Sequence, residues 1–87
     1  MAATWHVGKV VSAGVIAPDY ETTDIEFPIK LKLNALEESR WYLAERTQGR
    51  IMLSVALTAI TTGNEVEVKL EDTKEYSRIY RIYVHNK

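Results

Sequence analysis

The sequence predicts a mainly β domain with five strands and one helix, and the helix lies between the third and fourth strands. Apolar and polar residues alternate with a period of two in three stretches, as in strands with one buried face. One long apolar segment, MLSVALTAITTG over residues 52–63, instead reads as a helix followed by a stop. The 87 residues contain no repeat and no linker, so we expect a single domain over residues 1–87.

The composition narrows the classes of function. Apolar residues make up 46% of the chain and charged residues 26%, and the formal net charge is −1, which argues against a general polyanion binder. The absence of cysteine excludes disulfides and thiolate metal sites, and the two histidines lie near opposite ends. We therefore expect no metal, no cofactor and no membrane span, and oligomerisation remains as a means of stabilising so short a chain.

The first two strands have different patterns. The first covers about Trp5 to Ala17 and is interrupted by Gly8 and Gly14, which predicts bends or bulges. The second alternates cleanly from Ile25 to Leu33, so one of its faces is buried.

Residues 35–46 have two interpretations. Asn34 and Glu37 form a possible capping box, which favours a helix. The apolar residues of this segment do not keep a helical stripe, which favours a turn through Glu38 and a third strand over Arg40 to Ala44. We favour the strand, and both interpretations stay open at this point.

The predicted helix runs from Thr47, as the N-cap, to Thr62, and ends at Gly63. No charged side chain occurs between Ile51 and Asn64, although the outer face of a helix on a monomer normally carries lysine and glutamate. A helix buried entirely within one compact chain is one explanation. The preferred explanation is a subunit interface formed by Met52, Ser54, Val55, Thr58, Ala59 and Thr62.

The last two strands are predicted over Glu65 to Glu71 and over about Tyr76 to His85. In the fifth strand, strict alternation places Tyr80 with Ile82 and Val84 on the buried face. Its arginines are expected to pair with glutamates of the fourth strand. The complete order, β-β-β-α-β-β, predicts a five-stranded barrel of the OB type, whose closure removes exposed strand edges.

Two segments, WYLAE…GRIMLSVALTAITTGNEVEVKL and SRIYRIYVHN, resemble the B subunits of bacterial AB-type toxins of the cholera, pertussis and subtilase kinds. The resemblance implies an OB-fold subunit in a ring-shaped homo-oligomer, usually a pentamer, with the helices lining the centre. It also implies binding to cell-surface glycans and an A-type partner chain. Because the chain lacks the disulfide that secreted toxin B subunits usually carry, a non-toxin relative also fits.

Aromatic side chains are the candidates for glycan binding, because sugars stack their apolar faces on rings. These candidates are Trp5, Tyr20, Trp41 and Tyr42, and each can alternatively be a structural residue of a strand. Single-stranded nucleic acid ranks lower, because Tyr80 on the buried face leaves few rings beside the arginines of the fifth strand.

We expect a non-catalytic, ring-forming binding protein, since the chain shows no nucleophile motif, phosphate loop or metal-ligand spacing. The alternative is an oligomeric scaffold or protein-interaction module without a sugar site. The amino terminus has neither a basic n-region nor an apolar h-region. We therefore expect a cytoplasmic protein, or a secreted or periplasmic one if a leader has been removed.

Overall fold

The structure is a computed structural model that describes residues 3–16 and 25–85, and it is mainly β with one α-helix. The strands are β1 (Thr4–Ala13), β2 (Pro28–Leu33), β3 (Arg40–Ala44), β4 (Val66–Leu70) and β5 (Arg78–Val84). A 3-10 turn (Arg46–Gln48) leads into helix α1 (Gly49–Thr62) between β3 and β4. The prediction of five strands and one helix is confirmed, and residues 35–46 contain a strand with the predicted bounds.

The five strands form one sheet that closes in a ring. The spatial order is β1-β2-β3-β5-β4, which differs from the order along the chain because β5 lies beside β3. β3 and β5 are parallel and share only two paired positions, at Leu43 and Ala44, whereas all other neighbouring strands are antiparallel. Helix α1 packs mainly against β1 and β5.

Gly8 is the point at which β1 changes partner. Its Cα is opposite both Leu33 of β2 and Val66 of β4, so two strands approach the same residue. A Cβ atom added at Gly8 would lie 2.8 Å from the Cα of Leu33 and would also meet the carbonyl of Lys32. The predicted bulge of β1 is present, but it lies between Val10 and Ser12 and not at a glycine.

The start of the helix differs from the prediction. Thr47 is not the N-cap of α1, because the 3-10 turn intervenes. The carboxylate of Glu45 accepts a hydrogen bond from the backbone N–H of Thr47 at 3.1 Å and caps that turn instead. At the other end, Gly63 has φ 71° and stops the helix as predicted, since a left-handed residue suits glycine.

Strand β5 departs from strict alternation. Lys69 of β4 is opposite Arg81, but the next residue, Leu70, is opposite Ile79, so Tyr80 is the additional residue of a β-bulge. As a result Ile79 and Ile82 are both buried, and the side chain of Tyr80 is 41% exposed. The prediction that Tyr80 faces the core is wrong.

One core fills the space between the sheet and the helix. The inward residues of the strands meet one face of α1, and the core residues are Phe27, Ile29, Leu31, Leu33, Tyr42, Ala44, Met52, Ala56, Ala59, Val66, Val68, Leu70, Ile79 and Ile82. The helix contributes only small or flexible side chains to this core, which lets it lie close to the sheet. No helix in the described ranges is long and apolar enough to cross a membrane.

Candidate binding site

An apolar groove of about 380 Å³ lies on the outer surface of the sheet. It extends from the end of β1 across β2 to β3 and the loop between β4 and β5 (residues 71–77). We name it the Trp41 groove, and its lining residues are Ala13, Gly14, Val15, Ile16, Pro28, Trp41, Leu43 and Tyr76. Val15 and Ile16 are about half exposed, at 58% and 50%, so this apolar surface faces solvent.

Trp41 lies on the outward side of β3, since side chains alternate along a strand and those of Tyr42 and Ala44 are fully buried on the other side. The ammonium group of Lys30, on the adjacent strand β2, lies 5.7 Å from the centroid of the indole ring. A cation at this distance is attracted to the ring face. The groove therefore has an apolar wall with a positive charge at its edge.

Tyr76 is held on the opposite side of the groove in an unusual backbone conformation. Its φ of 67° is left-handed, which is uncommon for a residue with a large side chain. Its backbone N–H donates a hydrogen bond of 2.6 Å to the carbonyl of Trp41, and the backbone N–H of Trp41 donates to Glu75 Oε2 at 3.2 Å. These bonds fix the loop to β3 and leave the Tyr76 side chain 62% exposed.

The predicted glycan-binding residues are not brought together. Trp41 lines the groove, whereas Tyr42 points into the core, where its hydroxyl donates a 2.7 Å hydrogen bond to the carbonyl of Thr73. Burial raises the pKa of the Tyr42 phenol. Trp5 lies on β1, where it stacks on Tyr83, and Tyr20 lies outside the described residues.

Sequence reasoning missed the other residues of the groove. The prediction that Tyr76 begins the fifth strand is wrong: Tyr76 lies in the loop before β5, and the sequence EDTKEYS around it is rich in turn-forming residues. Val15 and Ile16 appeared to be ordinary strand residues. Their proximity to Trp41 depends on the pairing of β1, β2 and β3, which no local pattern contains.

Between Ile51 and Thr62, the surface of α1 that faces away from the sheet is uncharged, whereas Arg50 in the first turn is exposed. Among the six predicted interface residues, Ser54, Thr58 and Thr62 are exposed and Val55 is half-buried, whereas Met52 and Ala59 belong to the chain's own core. Ile51, Leu57 and Ile60 are also exposed, at 64%, 47% and 40%. We name the exposed residues between Ile51 and Thr62 the outward face of α1; they are Ile51, Ser54, Leu57, Thr58, Ile60, Thr61 and Thr62.

The hydroxyl groups on this face already have partners. Each of Ser54, Thr58, Thr61 and Thr62 donates a hydrogen bond to the carbonyl four residues earlier, at 2.9 to 3.2 Å. When a hydroxyl already has an internal hydrogen-bond partner, removing water from it costs little free energy. The outward face of α1 can therefore be buried against a protein surface at low cost.

A second pocket lies beside the start of α1 and is lined by Ile25, Phe27, Arg46, Thr47, Gln48, Gly49, Arg50 and Ile51. Through Arg46 it adjoins an ion cluster. Arg78 contacts both carboxylate oxygens of Glu26, at 2.7 and 3.0 Å, and Arg46 contacts Glu26 Oε1 at 3.0 Å. The hydrogen bond from Arg78 and the charges of both arginines lower the pKa of Glu26 against the opposing effect of burial. Within residues 3–16 and 25–85, no cluster of three or more His, Cys, Asp and Glu could hold a metal ion.

Comparisons of the chain with protein-family models, with curated proteins and with solved structures found no match. The resemblance to toxin B subunits therefore stays a prediction, and what bears on function is the geometry of the Trp41 groove and of the outward face of α1.

Proposed function

We propose that the chain is a non-catalytic binding protein with an OB-type fold. The spatial strand order β1-β2-β3-β5-β4 and the helix between β3 and β4 support this fold. OB-type domains bind oligosaccharides and oligonucleotides on the surface of their second and third strands, between the loops that join strands one to two and four to five. The Trp41 groove has this position.

We propose a glycan as the ligand of the Trp41 groove. The observation that carries this proposal is that two aromatic rings, Trp41 and Tyr76, line one exposed groove from two different segments. A sugar ring can stack its apolar face on such a ring and direct its hydroxyl groups toward polar atoms at the edge. Lys30 and Glu75 are the nearest charged residues with contacts to Trp41.

The test is a glycan-array screen of the parent protein, followed by titration of the best ligand with variants. We expect Trp41→Ala to weaken binding by about fivefold or more, because a ring that stacks on a ligand contributes roughly 1 kcal/mol or more. Tyr76→Gly should also weaken binding but should not lower the thermal stability, since glycine suits the left-handed backbone.

Trp5→Ala is the matched control, because it removes an exposed tryptophan outside the groove. Equal losses of glycan affinity in Trp5→Ala and Trp41→Ala would show that the sugar does not bind in the Trp41 groove. An array on which no glycan binds the parent protein would leave the second candidate, an oligomeric scaffold without a sugar site.

We also propose that the chain forms a ring-shaped homo-oligomer, a pentamer, through the outward face of α1. Large apolar side chains and internally bonded hydroxyls support this, because such a surface is stabilised when water is excluded from it. A ring-shaped oligomer is equally compatible with the alternative function, a scaffold without a sugar site, because assembly does not require a sugar.

A further inference from the structure

Three residues form a row across the outer surface of β1, β4 and β5. Of these three strands, only the far end of β1 also contributes to the Trp41 groove. Trp5 of β1 is opposite Lys69 of β4, and Lys69 is in turn opposite Arg81 of β5. We name these residues the cationic row. Two cations directly opposite each other on neighbouring strands repel, so this arrangement is unfavourable for the isolated chain.

Neither cation forms an ion pair within the described ranges. No carboxylate there lies within ion-pair distance of Lys69 or Arg81. The glutamates on either side of Lys69 have other partners: Glu67 Oε1 lies 3.6 Å from His85 Nε2, and Glu71 Oε2 accepts a hydrogen bond of 3.4 Å from the Tyr80 hydroxyl. The expected pairing of Arg81 with a glutamate of β4 is therefore absent from the structure.

Aromatic rings surround the row. Trp5 and Tyr83 stack with their centroids 5.8 Å apart and their planes 18° from parallel, and the side chains are 45% and 48% exposed. The Lys69 ammonium lies 5.9 Å from the centroid of the Trp5 ring. The bulge of β5 adds the exposed ring of Tyr80 next to Arg81. The surface thus combines flat rings with two cations that have no ion-pair partner in the described part of the chain.

We propose that this surface binds single-stranded nucleic acid. A phosphate between Lys69 and Arg81 removes the repulsion between them, and unpaired bases stack on Trp5, Tyr83 and Tyr80. An acidic peptide without aromatic side chains supplies the charge but no flat rings to stack, and a duplex keeps its bases inside. The site is separate from the Trp41 groove, so the proposal does not depend on glycan binding.

The test is fluorescence anisotropy of a labelled oligothymidylate of about 12 nucleotides, a length within the site sizes of small single-strand binders. We expect Lys69→Gln and Arg81→Gln each to weaken binding and to reduce the slope of log K against log salt by about 0.7, the value for one phosphate contact. Trp5→Ala should weaken binding at least about fivefold, and Trp5→Phe should retain most of it.

Lys74→Gln is the matched control, because it makes the same change of charge at an exposed lysine of the loop between β4 and β5. It should leave both affinity and salt slope unchanged, and circular dichroism should show that every variant is folded. Unchanged binding in Lys69→Gln and Arg81→Gln, or no binding by the parent at low salt, would overturn the proposal. The proposal would also be overturned if a duplex or poly-aspartate competed with the labelled oligothymidylate as well as an unlabelled single strand does, since charge alone would then explain binding.

Discussion

Glu26 connects three segments that are distant in the sequence. It lies just before β2, and its carboxylate holds Arg78 at the start of β5 and Arg46 of the 3-10 turn. Both Glu26 and Arg78 are partly buried, with side chains 19% and 26% exposed, so solvent screens this pair less than a surface pair. The cluster fixes the end of the closed sheet where β3 and β5 have only two paired positions.

We predict that Glu26→Gln lowers the free energy of unfolding by about 1–2 kcal/mol at pH 7. Because folding lowers the pKa of Glu26, the carboxylate stabilises the fold at pH values above its ordinary pKa of 4.5, and this stabilisation is lost as the pH falls through the lowered pKa. The difference between parent and variant should therefore shrink below about pH 4.5 in urea unfolding curves. Glu37→Gln, in an exposed turn, is the control and should change little. A difference that persists unchanged at pH 3 would contradict this role.

Two strands approach Gly8 closely, so little space is left for a side chain at this position. We predict that Gly8→Ala lowers the free energy of unfolding by about 1–3 kcal/mol, because the added methyl group meets backbone atoms of Lys32 and Leu33. Gly14→Ala is the control: nothing lies within 4 Å of its Cβ position, so we expect no loss. Thermal unfolding of both variants checks this, and equal midpoints would contradict it.

At the scale of the element, α1 shows how an apolar helix can be only partly buried. The sequence has apolar residues around most of its circumference, but the structure packs one face, with Met52, Ala56 and Ala59, against the sheet. The helix is therefore not buried within a single chain, and after Arg50 in its first turn its exposed side carries no charge. This combination supports the proposed subunit contact.

We predict that Thr58→Glu breaks or weakens the oligomer and leaves the subunit folded. Thr58 is in the middle of the outward face of α1, where a carboxylate from each subunit would be buried without a partner. Sedimentation velocity measures the assembly, and circular dichroism measures the fold. Ala35→Glu, in an exposed turn, should assemble like the parent. If Thr58→Glu also does so, the helix does not form the contact.

Strand β5 shows where periodicity fails. Its residues from Arg78 to Val84 alternate well enough to predict a strand, but the bulge shifts the alternation by one residue at Tyr80. A bulge is an extra residue in a ladder, so it depends on the register with β4 and leaves no signal within β5 alone. The exposed ring of Tyr80, and with it the aromatic surface beside Arg81, could not be predicted.

At the scale of the whole molecule, closure of the sheet limits the exposed strand edges. β5 pairs with β4 over most of its length but with β3 only through Arg78 and Ile79, so its other edge has no strand partner beyond Ile79 in the described part of the chain. Exposed strand edges favour pairing with another chain. This edge and the neighbouring face of α1 together offer a larger contact than the helix alone.

We predict that the native mass in solution is about five times the 9.9 kDa of one chain. Light scattering behind a sizing column measures the mass directly, over a range of protein concentrations. A monomer at all concentrations would remove the proposed ring and leave the outward face of α1 exposed to solvent. A dimer would retain self-association but contradict the pentamer.

The sequence by itself determined the alternation of β2 and β4, the stop at Gly63 and the absence of charge from Ile51 to Thr62, and it favoured the strand over Arg40–Ala44. These features are local, because periodicity and turn residues act over a few positions. The tertiary structure alone decided which aromatic residues meet. Trp41 and Tyr76 line one groove and Trp5 stacks on Tyr83 because strand pairing, the bulge of β5 and closure of the sheet set their positions. Such contacts join residues far apart in the sequence, and their physical cause is the packing of the whole chain around one core.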